Sequence, residues 1–145
     1  MMGDNRRIAI AKKFLRAVWG GDLAVNDALM SEEVVFVDSC GERLKGFAEC
    51  SKAARAFASL EPDCRVTISE AFERSDVVML RVELAVTDPR IAGPYLVSLK
   101  IADGRVCEWQ THRHNRVPYA RVLRRAIAAE AMAGESGIDI KPAPR

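Results

Sequence analysis

Asp76-Val77-Val78-Met79-Leu80-Arg81-Val82-Glu83-Leu84-Ala85-Val86-Thr87 alternates almost without a break: Val78, Leu80, Val82, Leu84 and Val86 fall on one face, Arg81 and Glu83 on the other. A period of two over this length is a strand with one buried and one wet face, because successive side chains leave a pleated backbone on opposite sides. Residues 94–102 repeat the pattern, with Tyr95, Val97, Leu99 and Ile101 inward and Leu96, Ser98 and Lys100 outward. In residues 105–114 the alternation assigns Cys107, Trp109, Thr111 and Arg113 inward and Glu108, Gln110, His112 and His114 outward. Asp103-Gly104 joins these two segments as a hairpin turn. Residues 64–72 add a strand with Val66, Ile68 and Phe72 on a common face. The expected sheet is antiparallel, packed on one face and polar on the other.

Upstream the period is helical. Ile8, Ala11, Leu15 and Val18, widened by Ile10, Phe14 and Ala17, form a broad apolar stripe that Gly20-Gly21 ends. Asp22 caps a short second helix through Met30, and Ser31 starts the turn into the first strand. Gly46 precedes a third helix to Leu60, with Phe47, Ala54 and Phe57 as buried contacts, and Glu61-Pro62-Asp63 stops it.

Between the second and third helices, Val34-Val35-Phe36-Val37 is apolar on both faces, which marks a buried strand, and Asp38 stands at its end. An acid there is desolvated in the way a proton-transferring carboxylate requires. The same acid is equally suited to accept backbone N–H bonds in the turn that Gly41 closes. Both readings stay open on the residues alone.

Residues 119–132 read as a basic amphipathic helix, with Val122, Ala126 and Ile127 on one side and Arg121, Arg124 and Arg125 elsewhere. Residues 134–145, with two prolines and two glycines, read as a loose tail. The domain plan is therefore 1–117 as the folded unit, 118–133 as an appended helix and 134–145 as tail.

The 145 residues suit one core. Twenty-two basic against 20 acidic residues make no case for a nucleic-acid surface. Cys40, Cys50, Cys64 and Cys107 contain no C-x-x-C pair, which speaks for reduced thiols and against zinc. No run approaches the ~18 apolar residues of a membrane span, and no long apolar segment follows the first residues. A cytoplasmic protein without membrane contact is expected.

This order of elements, with Val35-Phe36-Val37-Asp38 and Gly41, Gly46 heading a helix, and Asp103-Gly104-Arg105-Val106-Cys107-Glu108-Trp109, resembles the SnoaL-like and NTF2-like superfamily over residues 6–116. The resemblance implies an α+β fold, a cone-shaped barrel whose curved antiparallel sheet wraps around three N-terminal helices. It implies an apolar pocket between sheet and helices, a homodimer and no cofactor.

Within that superfamily the chain is similar to ketosteroid isomerase, in which an acid matching Asp38 moves a proton beside a carbonyl. Leu80-Arg81-Val82-Glu83-Leu84 resembles its pocket strand. The isomerase's two oxyanion donors are replaced here by Phe14 and Val97, neither of which donates a hydrogen bond, and two supporting tyrosines by Met30 and Phe57. Losing one such donor costs on the order of 10²–10³ in rate. Tyr95 is the best replacement donor, with Trp109, Thr111 and Arg113 also on inward faces. A resemblance of Arg81-Val82-Glu83 to the Asp-Arg-Asp set of limonene epoxide hydrolase is opposed by the outward placement of both charged residues and by Thr111 where a second acid belongs. His112 and His114 point away from the pocket, and no metal is expected there.

The leading expectation is an isomerase, cyclase or dehydratase acting on a hydrophobic carbonyl compound. Asp38 would be the base and Tyr95 the donor, with Phe14, Phe36, Phe57, Leu80, Val82, Val97, Trp109, Thr111 and Arg113 binding the substrate. The alternative is a non-catalytic small-ligand or protein-interaction domain. The enzyme requires Asp38 inside a cavity with Tyr95 opposite. Ligand binding alone tolerates Asp38 tied into backbone bonds, and an interaction domain has a pocket collapsed on Phe14, Phe36, Phe57 and Trp109.

Overall fold

A computed structural model describes residues 2–113 and 118–140. Helix α1 (Met2–Gly20) is followed by α2 (Leu23–Leu29), strand β1 (Met30–Val37), strand β2 (Arg43–Lys45) and α3 (Phe47–Leu60). Four strands then run consecutively: β3 (Arg65–Arg74), β4 (Val77–Ala85), β5 (Gly93–Ala102) and β6 (Arg105–His112). Helix α4 (Tyr119–Ile140) comes last. The architecture is the expected α+β one, a curved sheet around helices with an appended C-terminal helix.

The helix ends follow from their local chemistry. At Gly21 the chain turns with φ +82°, a region that costs glycine little. The Asp22 side chain accepts the Val25 N–H at 3.3 Å and caps α2. β1 begins at Met30 rather than after a turn at Ser31, because Met30 already has extended backbone and pairs with Val106.

The sheet order is β2-β1-β6-β5-β4-β3. Its neighbours are antiparallel except for β1 and β6, which run parallel and set Phe36 opposite Trp109. The parallel pair corrects the fully antiparallel expectation. The chain comes back beside β1 as β6 only after β2, α3 and three further strands, so the direction of β6 is not constrained by a hairpin to β1.

Val78, Leu80, Val82 and Leu84 on β4 and Tyr95, Val97, Leu99 and Ile101 on β5 are buried as the alternation requires. Register shifts break it in β3 and β6. The register of β3 against β4 shifts between Ile68 and Glu70, which turns Ala71 inward and leaves Phe72 45% exposed, on the face opposite Val66 and Ile68. A second shift, between Lys100 and Ile101, puts Val106 in the core. Cys107 is instead half-buried, its Sγ 3.4 Å from the Lys100 carbonyl. The Asp103-Gly104 turn has φ of +55° and +76° at its two central residues, the mirror-image turn that matches strand twist.

Helix α4 continues past Met132 to Ile140, through residues expected to be loose. Ala131, Met132, Ala133 and Glu135 are good helix formers, and the two glycines at 134 and 137 cost about 1 kcal/mol each. Residues 141–145 and His114 lie outside the described residues.

An aromatic cluster joins the layers. Trp109 of β6 meets Phe36 of β1 at 4.4 Å between ring centroids, Phe14 of α1 at 5.2 Å and Trp19 of α1 at 5.7 Å. The Phe14 and Trp19 rings meet Trp109 edge-on and the Phe36 ring is tilted against it, and aromatic pairs in such arrangements add to what burial alone contributes. Phe36→Ala should therefore lose about 3–5 kcal/mol of stability, read as a lower urea midpoint; a change under about 1 kcal/mol would mean the cluster is not the keystone of the core.

Candidate functional site

The interior between sheet and helices holds a cavity of ≈ 20 Å³, about the space of one water molecule. Phe14, Phe36, Phe57 and Trp109 line it, together with Asn26, Met30, Leu44, Cys50, Tyr119 and Leu123. The other expected binding residues lie elsewhere. Leu80, Val82, Val97 and Thr111 are buried in the packing of the sheet, and they do not line this cavity.

Tyr119, at the start of α4, is what closes the space. Its ring packs edge-on against Phe36 at 5.7 Å and Phe57 at 5.8 Å. Its hydroxyl accepts the Trp19 indole N–H at 3.3 Å. Complete burial holds its phenol pKa well above the ordinary value, opposed by the Trp19 hydrogen bond. Ala120 and Leu123 are buried beside it. α4 is thus a stopper on the cone. The sequence signal for it is an aromatic and a leucine four residues apart immediately after Pro118, on one side of a helix.

Asp38 is fully buried at the end of β1, but it does not line the cavity. Its Oδ1 accepts the N–H groups of Cys40 and Glu42, both at 2.9 Å, and its Oδ2 accepts the Ala120 N–H at 2.9 Å. The first two bonds close the turn, whose Gly41 has φ +87°. The third caps the N-terminus of α4, where backbone N–H groups lack partners and the helix dipole favours an anion. Glu42 and Glu49 extend the attachment through ion pairs with Arg121 and Arg124, and Arg124 also donates to the Arg43 carbonyl. These pairs are exposed enough that geometry, more than energy, is what they supply.

Tyr95 is similarly occupied. Its hydroxyl donates to the Ile91 carbonyl at 2.6 Å and accepts from Arg113 Nη1 at 3.0 Å. Burial pushes its phenol pKa up, with Arg113 pulling the other way. Arg113 in turn donates to the carbonyls of Arg90, Ile91 and Ala92 and lies over the Tyr95 ring at 4.9 Å. A side chain on Gly93 would approach its guanidinium to 2.8 Å, and the φ of +126° there suits glycine alone. Tyr95 and Arg113 therefore build the loop between β4 and β5, and neither lines the cavity.

His112 on the outer face has its Nε2 3.1 Å from Ser98 Oγ, and desolvation lowers its pKa. Among the described residues no cluster of His, Cys, Asp and Glu is arranged to hold a metal ion, and no helix is long and apolar enough to cross a membrane.

A cone of curved sheet wrapped around three helices, with an apolar cavity in its interior, defines the structural class, and the sequence places the chain within it. The chain belongs to the SnoaL-like domain family, whose model matches residues 11–109. No curated protein matches it. Among solved structures it is similar to an LEH-like epoxide hydrolase of M. tuberculosis at 17% identity, covering 90% of this chain and 98% of that one with a TM-score of 0.67. A protein provisionally named ketosteroid isomerase from Kribbella flavida is similar at 19% identity, with 75% and 78% covered and a TM-score of 0.62. One provisionally named polyketide cyclase from Sinorhizobium meliloti has 17% identity, 72% and 94% covered and a TM-score of 0.64. At these identities the likeness is one of fold.

Two expectations test the site. Asp38→Asn replaces one acceptor oxygen by an amide N–H₂ facing backbone donors; it should lose about 1–3 kcal/mol and speed hydrogen exchange at Ala120, whereas unchanged exchange there would mean the cap is idle. Burial pushes the Cys50 thiol up to about 12 and that of Cys64 to about 11, from an ordinary value of 9.0. Above pH 9.0 the unfolded chain has released protons that the folded chain retains, so rising pH favours unfolding. The urea midpoint should fall steadily from there toward pH 11, and a flat profile would contradict the burial of these thiols.

Proposed function

We propose that the chain is a non-catalytic small-ligand-binding domain whose apolar interior is stoppered by its own C-terminal helix. The observation that carries the reading is the placement of Tyr119, a ring-sized side chain held inside the cone and attached through Ala120 to Asp38. An apolar interior with few polar groups is the usual form of a small-molecule site, and displacing one side chain from it vacates a ring-sized space.

The enzyme reading asks more of the same residues. Proton abstraction by Asp38 requires a substrate atom within about 3 Å of a carboxylate oxygen, and both oxygens face backbone N–H groups. Tyr95 as electrophilic donor would have to leave the Ile91 carbonyl. Collapse of the interior onto aromatic side chains also suits a protein-interaction domain, but Tyr119 is supplied by α4, an element separate from the sheet and the three helices it wraps.

The test is a titration of the full chain with toluene, followed by ¹H–¹⁵N NMR. Saturable shifts centred on Tyr119, Ala120 and Leu123 are expected. Asp38→Asn should tighten binding several-fold while lowering stability, because loosening the cap raises the fraction of chains open to ligand. Binding that weakens in step with stability, or none at all, would sink the proposal. Turnover of a hydrophobic ketone that Asp38→Asn abolishes in a folded protein would instead establish the enzyme.

A further inference from the structure

Asn26 is completely buried in α2 and is among the residues lining the otherwise apolar cavity. Its amide is anchored from one side. Nδ2 donates to Asp27 Oδ1 at 3.2 Å, and the same carboxylate oxygen accepts Ser51 Oγ–H at 2.8 Å. Arg55 lies 4.0 Å from the other oxygen of Asp27 and also donates to Ser51. Turning the amide over would set its oxygen against the Asp27 carboxylate, so the network fixes which end is donor and which acceptor.

That leaves Asn26 Oδ1 without a hydrogen-bond partner among the described residues. A buried carbonyl oxygen in an apolar wall is costly, and an aliphatic side chain of the same size would avoid the cost. Such an atom calls for a partner that brings a proton. The cavity of ≈ 20 Å³ fits one hydroxyl, and the space held by the Tyr119 ring fits the body that would carry it.

We infer that Asn26 is the specificity-determining residue of the cavity and that its ligand is a compact apolar alcohol or phenol, whose hydroxyl donates to Asn26 Oδ1. This rests on the ligand-binding reading above and adds the polarity of the contact. It is opposite to that of the isomerase, where protein donors meet a ligand oxygen. A ketone or aldehyde brings an acceptor to an acceptor, and the cavity should refuse it.

The full-length chain is titrated with phenol, toluene and benzaldehyde, three ligands of one ring and similar size. Phenol should bind on the order of tenfold more tightly than toluene, with benzaldehyde weakest. In Asn26→Leu the preference for phenol over toluene should vanish or reverse. Equal affinities for phenol and toluene in the unaltered chain, the result expected if Oδ1 keeps a permanent water, overturn the inference and leave the ligand-binding reading standing. Absence of binding by all three overturns both. The comparison within the unaltered chain decides the matter even if Asn26→Leu does not fold, and an Asn26→Leu protein that still prefers phenol tenfold also overturns it.

Discussion

The structure turns on the carboxylate of Asp38. One side chain of a strand end organises its own turn with one oxygen and, with the other, receives the first turn of a helix more than eighty residues further along the chain. A buried carboxyl is tolerated where its oxygens find hydrogen-bond partners, and here the donors among the described residues are backbone N–H groups. Remove that carboxylate and three amides lose their acceptor together, the turn loosens, and α4 loses the point that seats Tyr119 over Phe36 and Phe57. The aromatic packing of the interior and the placement of the stopper are thus one cooperative arrangement.

Much of the fold was legible in the sequence because alternation is a local signal. The inward faces of β4 and β5 follow from residues two apart, and the mirror-image turn at Asp103-Gly104 from two residues alone. What failed was whatever depends on a partner strand. The register shifts that expose Phe72 and bring Val106 inward in place of Cys107 are set by pairing across the sheet, and no pattern within one strand announces them. β2 escaped for a different reason: three residues with only Leu44 buried are too few for a period to show.

The site divides in the same way. Helical periodicity marks Phe14 and Phe57 as buried, strand alternation marks Trp109, and Phe36 stands in a strand apolar on both faces; all four line the cavity. Tyr95, Thr111 and Arg113 also face the interior side of their strands, yet Tyr95 and Arg113 are consumed by the carbonyls of the loop at 90–92. Which hydrogen bonds a polar side chain makes is a question of three-dimensional neighbours. The turn half of the role of Asp38 was visible through Gly41, while its bond to Ala120 was not. Asn26 was hidden altogether, since an asparagine in a seven-residue helix reads as surface until burial is known.

The parallel pairing of β1 with β6 bears on how the molecule comes into being. Phe36 and Trp109, whose rings lie closest in the core, belong to opposite halves of the chain, so a ribosome must deliver nearly the whole cone before they can meet. Until then α1, β1 and α3 hold an apolar interior with half its wall absent. High contact order of this kind slows folding and lengthens the exposure of sticky surface. The growing chain is therefore at its most aggregation-prone just before β6 arrives, and a nascent-chain binding chaperone would find its longest window there.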